Sequence, residues 1–309
     1  MQAVRLYRYG GPEVLVFEEH VPDPPMNGDA VMIETMAASV NPIDWKVRSG
    51  ARQKDFPLLL PAILGRDVSG VVSAVGGNVR HVKPGDRVLA MGDATYAEKV
   101  VIGGSLVTHA PDGLDLADAA AIPLISLTGD QLVRHATAVT KGQTLVVSGA
   151  IGSVGRAAVH TALKLGVRVI AAVRARQVDA ARQLNVPEVL AIDDDAAIAG
   201  LPPLDAVADT VGGEAAVKLL AKVKPGGSFG FASVLPAGAA DAHPSVKVTR
   251  VFARPDPSKV REFADDVRDG KFALPIGHRL PLRDAAHAHV LGERGGVGKI
   301  ILLVRPAGG

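Results

Sequence analysis

Val146-Val147-Ser148-Gly149-Ala150-Ile151-Gly152-Ser153-Val154-Gly155 is the stretch on which the reading of this chain turns. The run Thr144 to Ser148 before it reads as a strand, and Ser153 to Leu165 after its turn reads as a helix. In that helix Val154, Ala158, Thr161 and Leu165 line one face, and Gly166 suits the position just past the end. Glycines between a strand and a helix let backbone approach a pyrophosphate. The helix start adds N–H groups without intrahelical partners and the positive end of its dipole. The spacing here is Gly149-x-x-Gly152-x-x-Gly155, not G-x-G-x-x-G. The same glycines would also serve a tightly packed turn. The strand before and the helix after favour a dinucleotide held by Gly149, Ala150, Ile151, Gly152, Ser153, Val154 and Gly155.

The next strand bears on which dinucleotide. Val169-Ile170-Ala171-Ala172-Val173 ends in Arg174-Ala175-Arg176, and no carboxylate follows until Asp179. An NAD site usually places an acid about 20 residues past the first glycine, on the ribose hydroxyls. Arginine pairs instead with a 2′-phosphate. Arg174 and Arg176 therefore favour NADP(H), with a solvated helix start as their plainer reading.

Outward from this loop, strands and helices alternate. Val189 to Ile192 and Leu204 to Ala208 read as strands, Arg174 to Leu184 and Glu214 to Leu220 as helices, and Gly227 to Ala232 as a further strand. That alternation predicts a parallel sheet covered on both faces. Before about Ala117 the chain is different: short strand-like runs are broken by Gly and Pro, as a barrel-like β domain requires. After Val251-Phe252 an amphipathic helix, Ser258 to Asp269, is capped by Ser258 or Asp256. The last strand, Lys299 to Val304, most easily completes the sheet of the N-terminal domain.

Composition excludes several classes. Of 309 residues, 48% are hydrophobic and 21% charged, so the chain is globular and not mainly disordered. A net charge of +2 gives no electrostatic footprint for nucleic acid. With no cysteine there is no disulfide and no thiolate metal site. No apolar run approaches the roughly 18 residues of a membrane helix, and the start, Met1 to Leu6, reads as a strand and not a signal peptide. A cytoplasmic location fits these features.

Several further motifs occur in order. Asn41-Pro42-Ile43-Asp44-Trp45-Lys46 precedes Gly65-Arg66-Asp67-Val68-Ser69-Gly70 and Lys83-Pro84-Gly85-Asp86-Arg87-Val88. Tyr96-Ala97-Glu98, Ala120-Ala121-Ile122-Pro123 and Leu127-Thr128-Gly129 then lead to the glycine loop, and Gly298-Lys299 opens the last strand. The series resembles the medium-chain dehydrogenase/reductase superfamily, and within it the zinc-independent quinone oxidoreductase and enone reductase branch. The resemblance implies an α/β chain. Residues 1–122 and 254–309 would form a GroES-like β-barrel catalytic domain. Residues 123–253 would form a Rossmann-type domain with a doubly wound parallel sheet, and a cleft between them would take nicotinamide and substrate. Zinc-containing relatives carry Cys where this chain has Asn41 and His where it has Arg66, so the resemblance implies no zinc. His287 and His289 lack a third ligand nearby and read as helix-surface or core residues.

The resemblance also implies the site. Asn41 would donate to ribose or substrate, and Lys46 would bring positive charge or a proton to an enolate or hydroquinone oxygen. Each has a plainer reading, and a solvent proton relay would serve as well. Trp45, the only Trp, is either a flat wall for a quinone or enone ring or core packing. Asp67 would orient neighbouring backbone or pair with an arginine, in preference to acid–base work. Thr128, Thr210, Phe231, Ser233 and Lys299 would lie near the cofactor. The expected protein is an NADPH-dependent reductase of quinones or α,β-unsaturated carbonyls. By the same resemblance it is a homodimer, joined near Val246 to Val251, with no nucleic-acid or membrane partner. The rivals are a metal-free alcohol or ketone oxidoreductase and a dinucleotide-binding sensor or structural protein without turnover.

Overall fold

The computed structural model describes residues 1–305. The last four residues of the 254–309 segment, 306–309, lie outside them. The chain divides into two compact units: Met1–Leu124 with the chain from Pro255 onward, and Ile125–Arg254.

The Ile125–Arg254 unit is built on a six-stranded, all-parallel sheet. Across the sheet the strands are Glu188–Ala191, Arg168–Val173, Thr144–Ser148, Leu204–Asp209, Val223–Phe231 and Lys247–Arg250. Numbered along the chain, that order is 3-2-1-4-5-6, the doubly wound dinucleotide-binding arrangement. The two-residue period of the strands splits their side chains between two layers. Leu145, Val147, Val169 and Ala171 pack into one cluster, while Val146, Ile170, Ala172 and Val207 pack into the other. Both faces are thus buried, which explains the nearly unbroken apolar strands.

Local boundaries differ from the sequence reading for visible reasons. The stretch expected as one helix from Arg174 to Leu184 is a 3-10 turn, Ala175–Gln177, followed by the short helix Val178–Arg182. Gln177 has φ −111° and ψ −1°, which breaks a continuous helix. The strand expected at Gly227 begins at Val223, with a register irregularity opposite Leu204 and Ala206. Asp256, not Ser258, caps Pro257–Arg268, because its side chain accepts the Lys259 N–H.

In the other unit the long strand Ala30–Val40 is central. It pairs with Asp67–Val75, Lys99–Gly103 and the C-terminal Lys299–Leu303. The C-terminal strand runs antiparallel with Ile300 opposite Val40 and Ile301 opposite Ser39. That register brings Lys299 beside Asn41, and the adjacent pairing sets Ser39 opposite Asp67. The helix Pro42–Arg48 leaves the end of this strand, with Pro42 in its first turn and Asn41 as its N-cap.

Leu116–Thr137, made of the short helical segments Leu116–Ala119, Pro123–Gln131 and Leu132–Thr137, reaches the mean hydropathy of a membrane span although no unbroken apolar run of that length exists in the sequence. Its apolar window is 89% buried within the protein, which leaves little surface for lipid.

Candidate functional site

The glycine loop follows strand Thr144–Ser148 directly. Gly149 has φ +65°, a conformation that L side chains rarely adopt. Gly155, in the first turn of helix Ser153–Lys164, lies against the Gly149 carbonyl, where a Cβ would collide with backbone. This contact draws the helix start onto the strand end. Gly152 is the N-cap and supplies no side-chain cap, so the first-turn N–H groups are left to a ligand or to water. Gly152 is exposed, Ile151, Ser153 and Val154 are half-buried, and Ala150 is buried. An anionic pyrophosphate fits this arrangement.

At the end of the second strand Arg174 and Arg176 are both exposed. The Arg174 N–H donates to Gln177 Oε1 at 3.3 Å. The Ala175 N–H donates to Asp193 Oδ1 at 2.7 Å. Asp193 is a carboxylate that linear spacing misses, because strand pairing, not sequence distance, brings it here.

Other residues expected near the cofactor have internal partners. Thr210 Oγ1 donates to the Ser148 carbonyl at 2.6 Å. Ser233 Oγ donates to Asp209 Oδ2 at 2.5 Å. Phe231 packs with Phe229, ring centroids 6.3 Å apart, at the edge of one core cluster. Thr128 lies buried on helix Pro123–Gln131.

The second candidate centre surrounds Asn41, in the other unit. The Asn41 N–H donates to Asp44 Oδ2 at 2.7 Å. Its side-chain Nδ2 donates to Asp67 Oδ2 at 2.8 Å and to the Ser39 carbonyl at 3.4 Å. Its Oδ1 accepts from the Lys299 ammonium. Both amide hydrogens are therefore engaged, and donation to a ligand would require one to be exchanged. Lys299 also donates to the Val40 carbonyl at 3.2 Å and lies 3.5 Å from Asp67 Oδ2. These partners match the three hydrogens of an ammonium, so a direct contact with cofactor would displace one of them. Burial lowers the Lys299 pKa, while Asp67 and Asp44 oppose that shift. Asp67 further accepts Ser39 Oγ at 2.5 Å and the Leu124 N–H at 2.7 Å. It thus orients backbone, and its cationic partner is Lys299.

Asp44 connects this cluster to a chain of oriented hydrogen bonds. Arg48 Nη1 lies 3.1 Å from His289 Nδ1, and a guanidinium only donates, so Nδ1 accepts. The hydrogen of the neutral ring is then on Nε2, 3.2 Å from the Tyr96 hydroxyl oxygen. The Tyr96 hydroxyl in turn donates to Asp44 Oδ2 at 2.9 Å. Arg48 is anchored by Glu293 Oε1 at 2.5 Å and by the Gly10 carbonyl at 3.1 Å. Burial pushes Asp44 up to about 7 and His289 down to about 3, the latter helped by the Arg48 charge. Arg48, Tyr96 and His289 carried no functional expectation. Only Asp44, three residues after Asn41, had a sequence signal, that of a capping box.

Trp45 and Lys46 follow on the same helix. Trp45 packs against Gly292, whose added Cβ would lie 2.8 Å from its ring, and stands edge-on to His289 at 6.4 Å. One side of the indole is therefore packing surface. Lys46 is half-buried.

A model described as the alcohol dehydrogenase GroES-like domain matches residues 27–112, and one described as zinc-binding dehydrogenase matches residues 191–302. The chain is 32% identical over 325 residues to a quinone oxidoreductase of Pseudomonas aeruginosa, covering 97% of this chain and 98% of that protein. Among solved structures it resembles the quinone oxidoreductase from Coxiella burnetii, with a TM-score of 0.89, 27% identity and 99% of each chain covered. It also resembles the Escherichia coli quinone oxidoreductase complexed with NADPH, with a TM-score of 0.85 and 26% identity, covering 98% of this chain and 100% of that one. The chain belongs to the quinone oxidoreductase family of the medium-chain dehydrogenase/reductase superfamily, and it is an enzyme of that oxidoreductase kind.

Zinc, which the second model's description implies, does not suit these residues. Among the described residues no three His, Asp or Glu side chains gather as a donor set, and the chain has no cysteine. The Asn41 oxygen already accepts an ammonium, and Arg66 carries a guanidinium paired with Asp93. A dication at either residue would meet a cation.

Proposed function

We propose that this enzyme is an NADPH-dependent, zinc-independent reductase of quinones or α,β-unsaturated carbonyls. The observation that carries the cofactor half is the Gly149–Gly155 contact, which sets an uncapped helix start beside a strand end in a parallel sheet. The substrate half is supported by full-length similarity to quinone oxidoreductases. When bound, the reduced nicotinamide supplies the hydride.

The remaining work falls to the chain. Gly149, Gly152 and the first-turn N–H groups of Ser153, Val154 and Gly155 bind pyrophosphate, while Arg174 and Arg176 bind the 2′-phosphate. Thr128, Thr210, Phe231 and Ser233 shape the cofactor's surroundings. Asn41 and Lys299 hold the start of helix Pro42–Arg48 in one arrangement. Lys46, on that helix, brings positive charge to the substrate oxygen that becomes anionic and moves a proton to it. Trp45 offers the side of its ring not packed on Gly292 to a flat substrate. The proposal includes a cytoplasmic homodimer, its partner added at the edge strand Lys247–Arg250, which among the described residues pairs within the sheet only with Val223–Phe231.

The test is loss of NADPH absorbance with a para-quinone, an alkenal, a cyclic enone and a saturated ketone, with NADH run in parallel. Turnover of the quinone or enone with NADPH is expected. Turnover of only the saturated ketone would move the assignment to a metal-free carbonyl reductase. NADPH binding without turnover across the panel would favour a sensor.

A further inference from the structure

We propose that Asp209 is the positioning residue of the cofactor site: one buried carboxylate that fixes the three loops at the carboxyl edge of the parallel sheet. The inference rests on the dinucleotide reading above. Asp209 ends strand Leu204–Asp209 and is fully buried. Its Oδ1 accepts from Ser148 Oγ at 2.6 Å, and its Oδ2 accepts from Ser233 Oγ at 2.5 Å. The Gly212 N–H reaches Oδ2 at 2.9 Å, and the Val211 N–H reaches Oδ1 at 3.3 Å.

These donors sit in, or directly before, three separate loops. Ser148 immediately precedes Gly149, Val211 and Gly212 lie in the loop after Leu204–Asp209, and Ser233 lies in the loop after Val223–Phe231. The first two strands flank the switch point of the 3-2-1-4-5-6 order, where such sheets take their ligands. The tie is doubled beside Asp209: the Thr210 N–H donates to Ser148 Oγ at 2.9 Å, and Thr210 Oγ1 donates to the Ser148 carbonyl at 2.6 Å.

Close approach leaves no slack. A Cβ on Gly149 would lie 2.5 Å from Thr210 Oγ1, and one on Gly212 would lie 2.9 Å from Ser233 Oγ. Among the described residues, the Asp209 side-chain partners are all hydroxyl or amide donors. A buried carboxylate without a cation is a costly way to fill a core position, where an apolar residue would serve stability better. Asp209 instead satisfies donors that hold Gly149 at its φ of +65°. The arrangement also presents Val211 and Val234 as exposed apolar side chains on either side of Gly212 and Ser233.

The test is titration of the full chain with NADPH, followed by nicotinamide fluorescence, for wild type, Asp209→Ala, Asp209→Asn, Ser148→Ala and Ser233→Ala. Thermal melting is run alongside. Asn is isosteric, but its amide nitrogen turns a donor toward donors, so it should fail as Ala does. Both Asp209 variants should bind NADPH about tenfold or more weakly at temperatures where they are folded, since about 1.4 kcal/mol of lost positioning is tenfold. The serine variants, which remove one strut each and keep the fold accessible, should weaken binding by smaller factors. A lower melting temperature with unchanged NADPH affinity in the folded Asp209 variants would overturn the proposal. If those variants do not fold, unchanged affinity in both serine variants would overturn it. Wild type that binds neither NADPH nor NADH would instead overturn the dinucleotide reading, and this inference with it.

Discussion

The Lys299 ammonium donates to the side-chain oxygen of Asn41, 258 residues earlier in the chain. Asp67 takes the amide nitrogen of the same side chain. A cation at one end and an anion at the other fix which way the amide faces. The antiparallel register of Lys299–Leu303 on Ala30–Val40 makes this possible, because it brings the lysine alongside the last strand residues before the helix.

Replacing Lys299 with Met should be strongly destabilising. It would leave Asp67 as a buried carboxylate without its cation, a loss of about 3–5 kcal/mol for a broken buried pair. Adding Asp67→Asn should recover part of that loss, because the orphaned charge goes too. Denaturant unfolding of the two single variants and the double variant checks this. Strictly additive losses would show that the two residues do not form an energetic pair.

The pH dependence of stability should reveal two opposed titrations. The folded chain holds the Asp44 proton up to about pH 7, while the unfolded carboxyl releases it near about 4. Asp44 therefore stabilises below about pH 4, and that contribution is lost as pH rises toward 7. His289 stays neutral in the folded chain down to about pH 3, whereas the unfolded ring protonates below about 6.5. Its contribution is present above about pH 6.5 and is lost as pH falls toward 3. Between about pH 4 and 6.5 the two slopes have opposite signs and largely cancel. His289→Gln removes the second slope, so its unfolding free energy should fall as pH rises through that window. Asp44→Asn should show the reverse. Urea unfolding at several pH values measures both, and variants that parallel wild type would refute the pairing.

Legibility in the sequence follows the range of the interaction. The strand–loop–helix at 144–165 was readable because its signals are local: an apolar run, three glycines and a helical stripe. The apolar strands in alternation with helices likewise implied a parallel sheet. The C-terminal strand was readable as an addition to the N-terminal sheet, but its register was not, so the Lys299–Asn41 contact could not be foreseen. The chain from Arg48 through His289 and Tyr96 to Asp44 joins segments up to 241 residues apart. No periodicity carries such information. Asp193 was missed for the same reason, since it reaches Ala175 through neighbouring parallel strands. The segment Leu116–Thr137 holds no unbroken apolar run, because polar residues interrupt it, and its burial follows from packing that no linear pattern shows.

Arg174 and Arg176 should determine cofactor preference. Both are exposed at the end of the second strand, beside the backbone that Gln177 and Asp193 hold in place. Charge-assisted bonds to a phosphate contribute about 1.5–3 kcal/mol. The double Ala variant should therefore weaken NADPH by about tenfold or more and leave NADH nearly unchanged. Fluorescence titration with each cofactor checks this. Equal losses for the two would remove the 2′-phosphate assignment, and a gain for NADH would point to Asp193 as a ribose acceptor.

Lys46 offers the most direct test of the chemistry. It lies on the helix whose first residues are fixed by Asn41, Asp44 and Lys299, so its backbone is well placed to present a charge. Lys46→Met removes both the charge and the exchangeable protons. If lysine delivers the proton, turnover should fall by about a hundredfold or more, as for loss of a general acid. NADPH affinity should hold, because the residues proposed to bind its phosphates lie between Gly149 and Arg176. Lys46→Arg keeps the charge but is a poor proton donor at neutral pH. Recovery with Arg would assign an electrostatic role, whereas failure of both variants would assign proton transfer. Trp45 emission checks that the helix has not moved, since its indole packs against Gly292 and stands edge-on to His289. Full turnover in Lys46→Met with unaltered emission would hand the proton to solvent.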